Sequence, residues 1–152
     1  MSKRVAAWVF RARGRGLTRV LGSLEAEVME EVWRQGETTI RRVWDALARR
    51  RSIAFNTVMT VMNRLAGKGI LVRRGHSGAY RFAAREPRDA FMARVSHEVA
   101  QGLIRDFGEH AVAQFVTAVR AVDPAKLRTL RRALAEQERE GARRARQGRV
   151  AG

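Results

Sequence analysis

A chain of 152 residues with 45% apolar side chains can bury one or two small cores, which excludes a large multidomain enzyme and wholesale disorder. It carries no cysteine, so disulfides, thiolate metal sites and a cysteine nucleophile are excluded together. The formal net charge of +16 points to a polyanionic partner, because clustered Lys and Arg release condensed counterions from phosphates.

The charge is unevenly spread. Residues 1–20 hold six basic and no acidic residues, with no sustained period, and are expected to form a flexible basic arm. Their apolar run, Val5 to Phe10, is too short for a signal-peptide core. No run along the chain reaches the length of a membrane span, so a cytoplasmic protein without membrane insertion is expected. Residues 21–37 are net −4, residues 38–85 are net +10, and residues 86–140 balance to zero. An ordinary solvated basic surface accounts for the total but not for this segregation.

The first helix is expected over Ser23–Gln35, capped by Ser23 and ended by Gly36, with Leu24, Val28, Val32 and Trp33 as its apolar stripe. Its glutamates, Glu25, Glu27, Glu30 and Glu31, crowd the half where the macrodipole favours negative charge. A second helix over about 39–49 carries Ile40, Val43, Trp44 and Leu47 at helical spacing, with Thr38 or Thr39 as its cap. A short turn leads to a third helix over about 54–68. Val58, Val61, Met62 and Leu65 form its inner stripe. Its outer face holds Asn56, Thr57, Thr60, Asn63 and Arg64. Most solvated helix faces carry long Glu and Lys side chains. A small polar face with one guanidinium suits close approach to base edges and phosphates, the alternative being an ordinary solvated face.

Beyond Gly67 and Gly69, Ile70-Leu71-Val72 begins a strand, Gly75-His76-Ser77-Gly78 turns it, and Ala79-Tyr80-Arg81-Phe82 returns. Arg73, Arg74, His76 and Arg81 decorate this hairpin, as a ribbon contacting a phosphate backbone requires. Three helices followed by a basic two-stranded ribbon make a winged helix-turn-helix over residues 21–85, whose third helix would enter the major groove. The fold class is mainly α: this winged head, then an α-helical dimerisation region over residues 86–140.

In that region, residues 88–107 and 109–121 read as helices, and Asp123-Pro124 starts another. Phe91, Val95, Val99, Leu103, Val112, Phe115, Val119, Leu127, Leu130 and Leu134 are their apolar residues. Three short amphipathic helices cannot readily cover one another, so a two-fold dimer is expected, the alternative being that they fold back on the head. Paired heads would read a pseudo-palindromic operator in double-stranded DNA. The Arg- and Gly-rich segment 141–152 is expected to be a disordered basic tail.

Three segments carry a resemblance: LGSLEAEVMEEVW (Leu21–Trp33), AFNTVMTVMNRLAGKGIL (Ala54–Leu71) and GAYRF (Gly78–Phe82). Together they resemble the BlaI/MecI family of penicillinase repressors, over roughly residues 21–135. The resemblance implies a homodimeric repressor of β-lactam-resistance or cell-wall-stress genes. It would place Asn56, Thr57, Thr60 and Arg64 in the major groove, with the arginine hairpin as the wing. It also implies relief of repression by proteolysis in the carboxy-terminal helices, driven by a membrane sensor metalloprotease. The matching bond is Gln114–Phe115, where the best-known members carry asparagine before the phenylalanine; Phe115 is equally a natural core residue. A sister branch senses copper through cysteine pairs, which this chain lacks.

No catalytic constellation stands out, and no metal site or cofactor is expected. His97-Glu98-Val99-Ala100-Gln101 begins like a zinc-protease helix, but glutamine replaces the second histidine. The remaining alternatives are a winged-helix protein–protein adaptor and a non-specific nucleoid-associated protein.

Overall fold

The computed structural model describes residues 16–150. Its elements are a short 3-10 turn (Gly16–Arg19), α1 (Ser23–Gln35), α2 (Ile40–Ala48), α3 (Phe55–Gly67), β1 (Leu71–Arg74), β2 (Arg81–Ala84), α4 (Arg88–Phe107), α5 (Glu109–Val122) and α6 (Pro124–Val150). The chain divides into two compact units, one ending at Ala100 and the other beginning at Gln101.

The first unit is a winged helix. Val28, Met29 and Val32 of α1, Val43 and Leu47 of α2, and Val58, Met62 and Leu65 of α3 meet in one buried cluster. The wing closes it: Leu71 and Phe82 point inward while Arg73, Arg74 and Arg81 point out. β1 and β2 pair antiparallel, Leu71 opposite Ala84 and Arg74 opposite Arg81. Two strands alone are marginal. Thr38 supplies a third edge, exchanging both backbone hydrogen bonds with Phe82 at 2.8 Å. That bridge ties the wing to the connection between α1 and α2.

Local chemistry sets the helix ends. α1 is capped at Gly22 rather than at Ser23: the Glu25 carboxylate reaches back to accept the Gly22 N–H at 3.1 Å, so Ser23 already lies inside the helix. The Thr39 hydroxyl accepts the Arg42 N–H and starts α2. After α3, Gly69 takes a positive φ of 75°. Its N–H donates to Ala66 and that of Ile70 to Leu65, the paired bonds of a Schellman ending. Ile70 and Leu65 are both buried, so this ending also aims the chain into β1. At the wing tip Gly75 has φ 93°, and a Cβ there would stand 2.6 Å from the Ala79 carbonyl.

Three regions differ from what the sequence suggests. The first compact unit runs past residue 86 to Ala100. Phe91 and Val95 are buried in the first unit's core, which covers them within the chain itself, and Val99 packs partly against it. The cause is α1: Trp33 packs on Phe91 with ring centroids 5.5 Å apart and donates its indole N–H to the Glu86 carbonyl at 3.0 Å. Arg88 grips Glu30 through two nitrogens at 2.8–3.0 Å. At the amino-terminal side, the basic arm ends sooner than expected, because Leu17 is buried in the same core; residues 1–15 lie outside the described residues. Finally, the segment expected to be a disordered tail is helical as far as Val150. Alanine, arginine and glutamine are strong helix formers, and arginines near a helix C-terminus complement its dipole; these outweigh Gly141 and Gly148.

The second unit contains the last turns of α4, then α5 and α6. Asp123 accepts the Ala125 N–H at 2.8 Å and Pro124 fills the first helical position, as the Asp-Pro pair foretells. α5 packs against α6, yet no described residue of this unit is buried. Leu103, Ile104, Phe107, Phe115, Val116 and Leu134 are between 42% and 61% exposed.

Candidate nucleic-acid interface

The inner stripe of α3 is spent on the core, which leaves Asn56, Thr57, Thr60, Asn63 and Arg64 exposed together. Asn56, Thr57, Thr60 and Arg64 line one side of an open groove of about 710 Å³; the start of α1, Gly22 to Glu25, lines the other. Sequence reasoning misses that second wall, because nothing in the spacing of residues 22–25 places them opposite residues 56–64.

Within the face, side chains differ in their freedom. Thr60 donates its hydroxyl to the Asn56 carbonyl at 2.8 Å, a local bond that water or a ligand can replace. Asn63 donates to the Met59 carbonyl at 3.0 Å and accepts from Arg73 at 3.2 Å. Its amide therefore links the helix to the wing. Arg73 is held a second time by stacking 4.6 Å above the Tyr80 ring. A guanidinium stacked on a ring keeps its N–H edges directed outward, the geometry that suits a phosphate. The Thr57 and Arg64 side chains form no hydrogen bond or ion pair among the described residues, which leaves both available for contact.

Arg74 and Arg81, opposite each other across the hairpin, share Glu37 at 3.7 and 3.8 Å. All three side chains are well exposed, so water screens these pairs and they yield readily to a stronger anion. His76 sits exposed in the wing turn.

Elsewhere α1 pairs with part of the positive charge of residues 38–85. Arg50 meets Glu31 at 3.1 Å, Arg51 meets Glu27 at 2.8 Å and Lys68 meets Glu25 at 2.9 Å. The acidic cluster that stands out in the sequence thus braces the C-terminal ends of the other two helices. For Glu25, burial raises the carboxyl's pKa, but the hydrogen bonds from Lys68 and Gly22 and the charges of Lys68 and Arg64 outweigh it and hold it below the usual value. For Glu31 the hydrogen bond from Arg34 is the largest influence; it and the contacts from Gln35 and Arg50 overcome burial and lower the value too. What remains without an ion pair is Arg64 on α3 and Arg73 on the wing, with the loosely held Arg74 and Arg81 beside them. Arg42 and Arg49, exposed on or just after α2, likewise form no ion pair among the described residues, nor does Arg85, whose Nε donates to the Gly69 carbonyl at 2.5 Å.

Among the described residues no group of three or more His, Asp or Glu side chains is placed to hold a metal ion. No helix among them is long and apolar enough to cross a membrane.

The sequence profile described as penicillinase repressor matches residues 21–136, more than half of the chain. This chain belongs to the penicillinase repressor family. It is 41% identical over 124 residues to the transcriptional regulator BlaI of Mycobacterium tuberculosis, in strain CDC 1551 / Oshkosh and equally in strain ATCC 25618 / H37Rv. The match covers 80% of this chain and 87% of the relative. As a penicillinase repressor family member the protein is a transcriptional regulator and not an enzyme, and its winged-helix architecture is the one expected from the residues. The matched span begins at Leu21 and takes in the whole of α1 to α5 and the leucine-bearing half of α6.

Proposed function

We propose that the protein is a homodimeric, sequence-specific repressor whose α3 face reads a pseudo-palindromic operator in double-stranded DNA. Thr57 and Arg64 make the principal base contacts, with Asn56 and Thr60 beside them. Arg73, Arg74, His76 and Arg81 hold the phosphate backbone, and Asn63 positions Arg73. The observation that carries this reading is that the small polar side chains of α3 stand exposed together with Arg64, beside a wing whose Arg73 has no ion pair and whose Arg74 and Arg81 are only loosely held.

Dimerisation rests on the second unit. A helical pair with no buried residue and a run of half-exposed Leu, Ile, Phe and Val cannot be a finished core, and a second copy supplies the missing half. Leu103, Val112, Phe115, Val119, Leu127, Leu130 and Leu134 belong to that surface. A dimer makes the second half-site contact intramolecular, which raises the affinity for a two-fold operator over that of one head.

Relief of repression follows from the same arrangement. Gln114 and Phe115 are exposed in the middle of α5, and cutting between them divides the dimerisation surface. A membrane sensor metalloprotease is the agent the family resemblance supports, acting on a cytoplasmic repressor of β-lactam-resistance or cell-wall-stress genes.

The test is a selected operator against random duplex across a salt series. A repressor holds a preference of about 10³-fold or more at physiological salt. A non-specific nucleoid protein would show equal affinities and equal slopes, and an adaptor would bind neither.

A further inference from the structure

The second unit carries charge that the head does not use. Every ion pair among the described residues lies between residues 25 and 98, so the arginines of α6 have no carboxylate partner there. At 3.6 residues per turn, Arg128, Arg132, Arg139, Arg143 and Arg146 fall within a sector of roughly 60° on one face of the helix. All five are exposed. Glu136 flanks the sector, about one turn from Arg132 and Arg139 but without an ion pair to either, Glu138 and Glu140 lie further round, and Leu127, Leu130 and Leu134 lie on the opposite side. The result is a predominantly basic stripe running about 27 Å along the helix axis.

Ordinary solvated helices intersperse the two signs, because i,i+4 pairs of opposite charge stabilise them. A line of guanidiniums without ion pairs repels itself, and an extended anion matches it best. A compact phosphate reaches two of these side chains at most, whereas a duplex presents a charge about every 1.7 Å of its axis. Three of the five, Arg139, Arg143 and Arg146, lie beyond residue 136, where the family match ends.

We propose that the arginine stripe of α6 is a second, sequence-independent DNA-binding surface that engages the phosphates of duplex flanking the operator. The inference rests on the reading of the head as an operator-binding module: once the heads are docked, flanking duplex is present at high local concentration. Because the stripe faces away from the leucines, it stays open when a second copy covers them.

The test replaces Arg128, Arg132, Arg139, Arg143 and Arg146 with glutamine in the full chain. Glutamine is a good helix former, and circular dichroism and sedimentation verify an intact helix and unchanged association. Binding is titrated against salt on a minimal operator, on the same operator within about 60 base pairs, and on a random duplex of that length. Removing one phosphate-binding cation lowers the slope of log K against log salt by about 0.9. The expected result is a slope lower by about 2 or more on both long duplexes, with at least ~10-fold weaker binding at low salt, and little change on the minimal operator. The five-lysine variant should keep most of the slope, and a chain ending at Glu136 should show a partial reduction. Unchanged slopes on the long duplexes would overturn the proposal. So would an effect confined to vesicles containing about 30% phosphatidylserine, which would mark a membrane surface as the partner. The random duplex keeps the two readings apart: absence of operator preference in the unmodified chain refutes the head's reading, while the slope change still decides the stripe's.

Discussion

Phe91 on α4 and Phe115 on α5 both sit in amphipathic helices, yet the first is 1% exposed and the second 59%. The difference is what each helix finds within its own unit. The start of α4 meets α1, where Trp33 packs on Phe91 and Glu30 holds Arg88. α5 meets only α6, and two helices leave their outer apolar faces open. The same contrast holds for charge. Acidic α1 pairs with Arg50, Arg51 and Lys68 in the head, whereas α6 has arginines and no ion pair among the described residues. One unit buries its apolar face within itself; the other leaves its own exposed.

Substituting the two phenylalanines gives the sharpest contrast. Phe91→Ala should destabilise the monomeric head by about 3–5 kcal/mol in denaturant titration, the cost of emptying a buried aromatic site. Phe115→Ala should change that transition little and act instead on association. Equal losses for both would mean that the two sites are buried alike.

Next in size is a charge on the uncovered face. Val116→Asp should weaken self-association by about 100-fold, because a carboxylate buried without a partner is strongly disfavoured. Sedimentation at increasing concentration reads this directly; an unchanged distribution would place the contact surface elsewhere.

The smallest effect concerns acid. Glu25 and Glu31 are held below the ordinary value of 4.5 in the folded head, so their contribution is complete above that pH and is lost as pH falls through their folded values. Thermal melts of the head should therefore weaken below about pH 4.5, in the range of the unperturbed glutamate. Glu31→Gln should flatten that dependence at a cost of roughly 1–3 kcal/mol near neutral pH. A wild-type melt independent of pH between about 5 and 3 would contradict the bracing role given to α1.

Much of this is legible in one dimension. The bounds of α1 and α4 follow from periodicity, and the Asp123-Pro124 start follows from cap chemistry. The polar face of α3 stands out because its inner stripe is so regular. Periodicity, however, says that a helix has an apolar side and not what covers it. The stripe through Phe91, Val95, Val99 and Leu103 reads as one surface, and only the position of Trp33 divides it. Composition misleads at the carboxy-terminus: Arg and Gly together suggest disorder, while Ala, Arg and Gln continue a helix already begun. The Gly22 cap is hidden because the carboxylate completing it lies three residues downstream. The bridge from Thr38 to Phe82 spans 44 positions and has no local signature.

Whether α3 reads bases is measured most directly by the discrimination ratio of Arg64→Ala. Affinities of the wild-type and variant chains for the selected operator and for random duplex would be compared at one salt concentration. Base reading by Arg64 requires an operator affinity lower by about 10- to 100-fold, set against a much smaller change on random duplex, so that the ratio collapses. An equal decrease on both would show that Arg64 contacts only phosphate, and α3 would no longer stand as the element that tells one sequence from another.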